Sequence, residues 1–189
     1  MAVNIAFDKI YAAFENAITS ASLKEVAQYW REICGGRHLP SWSDIQPSAI
    51  KSHLPIVWCY DYDSVTDDFI GRLAGQKITG VSNKPFKGTR LSELRPNDKY
   101  PRSLIRARRV VQEPALYRGE GLVYKTAESF GLGERVVMPL RQNGNYPAGI
   151  FGATEYRSIA EWNTLPSNRG EDEQWFSLAE LAQELGCRS

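Results

Sequence analysis

The chain has 189 residues, 42% hydrophobic, 11% aromatic and 24% charged, with a formal net charge of +1. These are the proportions of one ordinary globular domain with an appendage, long enough to bury most of its apolar surface without staples. The near-neutral charge excludes a nucleic-acid binder that neutralises several phosphates, and no apolar run approaches the ~18 residues of a membrane-spanning helix.

The N-terminus, MAVNIAFDKI, lacks the basic start and apolar run of a signal peptide. Cys34, Cys59 and Cys187 form no CxxC pair and are odd in number, so packing thiols in a reduced, cytoplasmic protein are expected. In chain order, Phe7, Ile10, Tyr11, Phe14, Ala17 and Ile18 mark one apolar stripe of a helix over residues 6–19. Ser20 or Ser22 caps a second helix, in which Leu23, Val26, Ala27, Trp30 and Ile33 repeat the pattern until Gly35-Gly36. The first stripe packs on the domain or against another copy of the chain.

Residues 37–55 are polar and turn-rich, with a short helical turn starting at Pro47. Ile56–Tyr60 reads as a strand and Asp68–Leu73 as its hairpin partner. Short helical pieces broken by glycine and proline fill residues 74–96, and Asn97 or Asp98 caps a helix that runs to about Gln112. Ala115–Lys125, Glu134–Arg141 and Ala148–Tyr156 read as three more strands, with Pro139 marking a bulge or irregular end. Residues 157–170 read as a loop and Glu171–Leu185 as a final helix with Trp175, Leu178, Leu181 and Leu185 on one side. Two strands and three strands separated by a helical insert give an α+β class with one antiparallel five-stranded sheet, helices on one face, and N- and C-terminal helices.

More specific strings lie within this order. HLPSWSDIQPSAIKSHLPIVWCYDYD (38–63) and DFIGRLAGQKITGVSNKPFKGTRLSEL (68–94) carry Pro40, Asp44, Ile45, Pro47, Leu54, Pro55, Arg72, Leu73, Ala74, Gly75, Gly88 and Leu91 in sequence. With ERVVMPLRQNGNYPAGIFGAT (134–154), they resemble a bacterial PAS-like subfamily over roughly residues 22–156. The usual continuation after RLAG is a threonine and then a G-D-xTG stretch. Gln76–Asn83 departs from it, so a pocket formed there differs. The resemblance implies a PAS fold and a signalling role and names no ligand. It divides the chain into an N-terminal amphipathic helix (1–21) suited to a dimer contact, a PAS-like domain (22–156), and a loop and C-terminal helix (157–189).

Chemistry-bearing residues are sparse. His38 and His53 have no metal-spaced partners and read as exposed or capping residues. Cys59 reads as packing, and the NCRFLQ-like string of flavin-binding PAS relatives is absent, so the cofactor is unknown and neither a flavin nor a haem signature is present. Gly131-Leu132-Gly133 and the glycines of 149–152 read as turns, and GxSxG, HExxH and paired CxxC motifs are lacking. Arg102, Arg106 and Arg109, with Arg108 beside them, form a stripe that could meet an anion or a partner but reads first as a solvated helix face. Leu104, Ile105, Ala107 and Val111 turn to the sheet.

Trp58, Tyr60, Phe69, Leu73, Ile78, Leu104, Val136, Met138 and Ile150 are the expected lining between sheet and helices, around either a ligand or a plain packed core. Alternation does not say which sheet face is the inner one. The expectation is a sensory or regulatory module without an output domain of its own. It binds a small molecule, a signalling partner or both, and is a homodimer with no affinity for nucleic acid or membrane. The alternative is a filled-core interaction or scaffold module. An enzyme ranks last, and would need a deep pocket holding two or more of Arg72, His53 and Asp61.

Overall fold

The computed structural model describes residues 2–80, 84–94, 102–125, 130–141, 147–156 and 172–179. Helices α1 (Ala2–Ala17) and α2 (Ala21–Cys34) open the chain, broken where Ser20 leaves the helical region. The Ser20 hydroxyl accepts the Leu23 N–H at 3.1 Å, satisfying a donor that the first turn leaves over. Gly35 ends α2 at φ 56°, a left-handed conformation that glycine adopts without strain. Two 3₁₀ stretches, Trp42–Asp44 and Pro47–Ile56, lead into the hairpin β1 (Val57–Asp63) and β2 (Asp68–Ala74). Helices α3 (Gln76–Thr79), α4 (Leu91–Leu94) and α5 (Arg102–Gln112) follow, then β3 (Ala115–Lys125), β4 (Phe130–Arg141), β5 (Pro147–Tyr156) and β6 (Asp172–Ser177). The expected cap at Asn97 or Asp98, the 157–170 loop and residues 180–185 lie outside the described residues.

Among the described residues the strands of the sheet all pair antiparallel, in the order β2-β1-β5-β4-β3-β6. The sheet thus has six strands, not the expected five, because Asp172–Ser177 is a strand where a helix start was expected. Its register runs from Ala115↔Ser177 to Glu120↔Asp172 along the edge of β3. The reason is tertiary: Trp175 and Phe176 are adjacent in sequence yet each meets a different layer, as the alternation of a strand arranges.

Helices also cover both faces of the sheet and not one. Helices α1 and α2 and the 3₁₀ stretches bury Phe7, Phe14, Leu23 and Trp30 against Cys59, Val136, Met138 and Phe151 on what is here termed the outer face. Helix α5 and the short helical pieces cover the inner face. A sheet buried on both sides needs apolar residues at consecutive positions, as in Val136-Val137-Met138. The α1 stripe is covered within its own chain: Phe7, Tyr11, Phe14 and Ile18 are all buried in the outer core. Pro139 lies past the last β3–β4 pair, Tyr117↔Val137, and the register shift of β4 falls just beyond it, between Leu140 and Arg141.

Candidate functional site

The inner face is an aromatic surface. Trp58, Tyr60 and Tyr62 alternate along β1, opposite Phe69 of β2, Ile150 of β5, Val137 of β4 and Tyr117 of β3. The rings are in succession: Trp58 and Tyr60 lie 5.7 Å apart, Tyr60 and Phe86 4.7 Å, and Tyr62 and Phe69 5.1 Å. These edge and tilted geometries are the ones that aromatic quadrupoles favour. The Trp58 indole lies over Gly152, where a Cβ would fall inside the ring. Its Nε1–H donates to Thr154 Oγ1 at 2.9 Å, a buried hydrogen bond that gives the face one polar point.

Trp58, Tyr60, Phe69, Leu104 and Ile150 are buried together here, and Ile78 packs against them half-buried. Three of the expected lining residues are elsewhere. Val136 and Met138 belong to the outer core, and Val137 between them faces inward. Every residue of that run is apolar, so parity alone could not choose. Leu73 pairs with Cys59 and is 44% exposed, because a bulge at Arg72 shifts the register and passes the inner position to Ala74. Phe86, Leu91, Val110, Tyr117 and Trp175 complete the face and were not foreseen. The alternation Ala115, Tyr117 against Leu116 was the available signal for Tyr117.

The arginine stripe of α5 is only partly a solvated face. Arg102 is exposed, whereas Arg106 is buried, donates to Glu173 Oε1 at 2.7 Å and lies 4.7 Å over the Tyr117 ring. Arg109 sits 4.2 Å over Trp175, and Arg108 binds Asp67 at the β1–β2 turn at 2.9 Å. Facing the sheet are Leu104, Ala107, Val110 and Val111, and Ile105 is 54% exposed instead of inward. Helix α5 is therefore tied to the hairpin turn on one side and to β6 on the other.

A family model described as PAS domain matches residues 18–154. The chain belongs to the PAS-domain family. No curated protein and no solved structure matches it.

Within this PAS domain Cys34 and Cys59 are buried packing groups, and Cys187 lies outside the described residues; burial pushes the Cys34 thiol up to about 12 and raises Cys59 as well. Gly133, Gly149 and Gly152 lie in strands β4 and β5, not in turns, and each has a neighbour where its Cβ would stand. His53 pairs with Glu25 at 2.7 Å and His38 packs edge-on against Phe7 at 5.5 Å. Among the described residues no cluster of three His, Cys, Asp or Glu could hold a metal ion, and no helix is long and apolar enough to cross a membrane.

Proposed function

We propose that this PAS domain is a sensory or regulatory module that takes a small apolar or amphipathic molecule between the inner face and α3–α5. The change passes to a signalling partner, which can be a second copy of the chain. One observation carries the reading: Trp58, Tyr60, Phe69, Ile78, Leu104 and Ile150, from β1, β2, α3, α5 and β5, converge on one aromatic face with a polar point at Thr154. Ligand sites combine an apolar lining with a few placed polar groups in this way. Part of the cover, α3 and α4, consists of helices of four residues each. Helices this short depend on tertiary contacts and open at lower free energy than the sheet beneath them.

Binding without catalysis is part of the proposal. Arg72 and Asp61 pair at 3.2 Å with both side chains well exposed, while His53 is engaged with Glu25, so these groups do not converge as acid, base and nucleophile must. A filled-core interaction module is the second reading, favoured by the Trp58 indole resting on Gly152 with its N–H satisfied inside the chain.

Native mass spectrometry beside the denatured mass, with thermal shifts across a metabolite set, decides between them. A discrete bound mass, or a stabilising compound whose effect is lost in Leu104→Trp, supports the sensor. A bare mass with no shift from any compound overturns it and directs the search to protein partners.

A further inference from the structure

Strand β6 lies outside residues 18–154 and joins two layers that otherwise stand on opposite sides of the sheet. Its inward side chains, Glu173 and Trp175, meet α5 and β3. Arg106 Nη2 donates to Glu173 at 2.7 Å, and the Trp175 ring lies 4.7 Å from Tyr117 under the Arg109 guanidinium. Its outward side chains, Asp172 and Phe176, point to the other layer. Phe176 meets Phe14 of α1 edge-on at 5.6 Å.

Asp172 pairs with Arg118 at 3.3 Å, and Arg118 Nε donates to Glu134 at 2.7 Å. Glu134 in turn accepts the Thr19 and Ser20 backbone N–H groups between α1 and α2 at 2.9 and 2.7 Å. A continuous set of contacts thus runs from α5 through β6 to α1 and its junction. The Leu178 N–H, bonded at 2.7 Å to the carbonyl of Pro114, anchors the end of the strand just past α5. Within the sheet β6 pairs with β3 alone, and its residues from Asp172 to Ser177 are exposed or half-buried. A strand paired on one side opens more readily than the centre of a sheet.

We propose that β6 is a conformational strap coupling α5 to α1: displacement of α5 loosens β6, and a loosened β6 unseats α1. The contacts that carry it exist in the chain itself, so the strap stands or falls separately from the ligand reading. Because coupling is reciprocal, disturbing α1 must also loosen β6 and α5.

Hydrogen exchange read by mass spectrometry on the full chain tests it. Arg109→Ala removes the exposed cation over Trp175. The expected result is about two- to fivefold faster exchange in β6 and, in step, in α1, the size of an exposed cation–π contact, with β1 and β2 at wild-type rates. Wild-type exchange in β6 would show that α5 does not hold it, and faster β6 with unchanged α1 would show that the strap ends at β6. Either outcome overturns the proposal, as does uniform acceleration through β1 and β2. Trp175→Ala, which removes the ring itself, is the stronger second variant and is judged by the same three criteria. The reciprocal variant, Phe14→Leu, must speed exchange in β6 and in residues 102–112, and wild-type rates there also overturn the coupling.

Discussion

Glu134 is buried on the outer face, yet it stays ionised because its oxygens accept hydrogen bonds from four donors. They come from the Thr19 N–H at 2.9 Å, the Thr19 hydroxyl at 2.8 Å, the Ser20 N–H at 2.7 Å and Arg118 Nε at 2.7 Å. Burial alone raises its pKa, and these donors together outweigh burial and hold it below the ordinary value of 4.5. A depressed carboxylate contributes stability that is full above the unfolded value and is lost as pH falls through the folded one. Glu134→Gln keeps the shape and removes the charge opposite Arg118, and the expected cost at neutral pH is about 3–5 kcal/mol. In urea titrations at a series of pH values, the gap between wild type and variant should narrow as pH drops below 4.5. A gap that is constant down to acid pH would mean that charge is not what Glu134 supplies. On the inner face, Gly152→Ala forces a methyl into the Trp58 indole and should cost about 1–3 kcal/mol, with a shift in tryptophan emission as the ring leaves Thr154. Unchanged emission would place the ring elsewhere.

At the scale of elements, α5 gives a direct contrast between two apolar residues, one exposed and one buried. Ile105 is 54% exposed, so Ile105→Ser should change stability by no more than ~0.5 kcal/mol. Val110 is fully buried on the inner face, and Val110→Ala should cost about 2 kcal/mol by lost burial and cavity. Thermal denaturation of the pair checks the orientation of the helix, and a costly Ile105 with a tolerant Val110 would rotate it. How legible an element was depended on how local its causes are. Helix α2 was readable because Ser20 and Gly35 determine its ends through bonds within four residues. Strand β6 was not, because Trp175, Leu178, Leu181 and Leu185 keep helical spacing and only the distant edge of β3 makes Asp172–Ser177 extended. The hairpin was legible but its side-chain assignment failed at Leu73, where the bulge at Arg72 interrupts alternation. For the candidate site, the aromatic residues of β1 and β2 were legible. Val136 and Met138 were misassigned because β4 is apolar on both faces, and parity then carries no information.

For the whole molecule, the family match of residues 18–154 suggests a self-sufficient unit, and the packing argues against it. Helix α1 precedes the match, yet Phe7, Tyr11 and Phe14 are members of the outer core beside Leu116, Val136 and Met138. Strand β6 follows the match, yet Phe176 and Leu178 pack in the same core and Trp175 packs on the inner one. Burying an aromatic or large aliphatic side chain contributes about 1.5–3 kcal/mol. Three such residues from α1 and three from 175–178, of which Trp175 and Phe176 are half-buried, therefore contribute roughly 8–15 kcal/mol before the entropy of ordering them, comparable to the ~5–15 kcal/mol by which a domain of this size is stable. A chain cut to residues 18–154 should accordingly lack a cooperative thermal transition or associate through the uncovered outer face, whereas the full chain melts in one transition. Differential scanning calorimetry with sedimentation velocity reads both. A truncated chain that is monomeric and melts cooperatively within a few degrees of the full one would make α1 and β6 accessories to an independent PAS core. Failure of the truncated chain to fold would make them structural members of this one, with the outer face of the sheet closed by its own flanks.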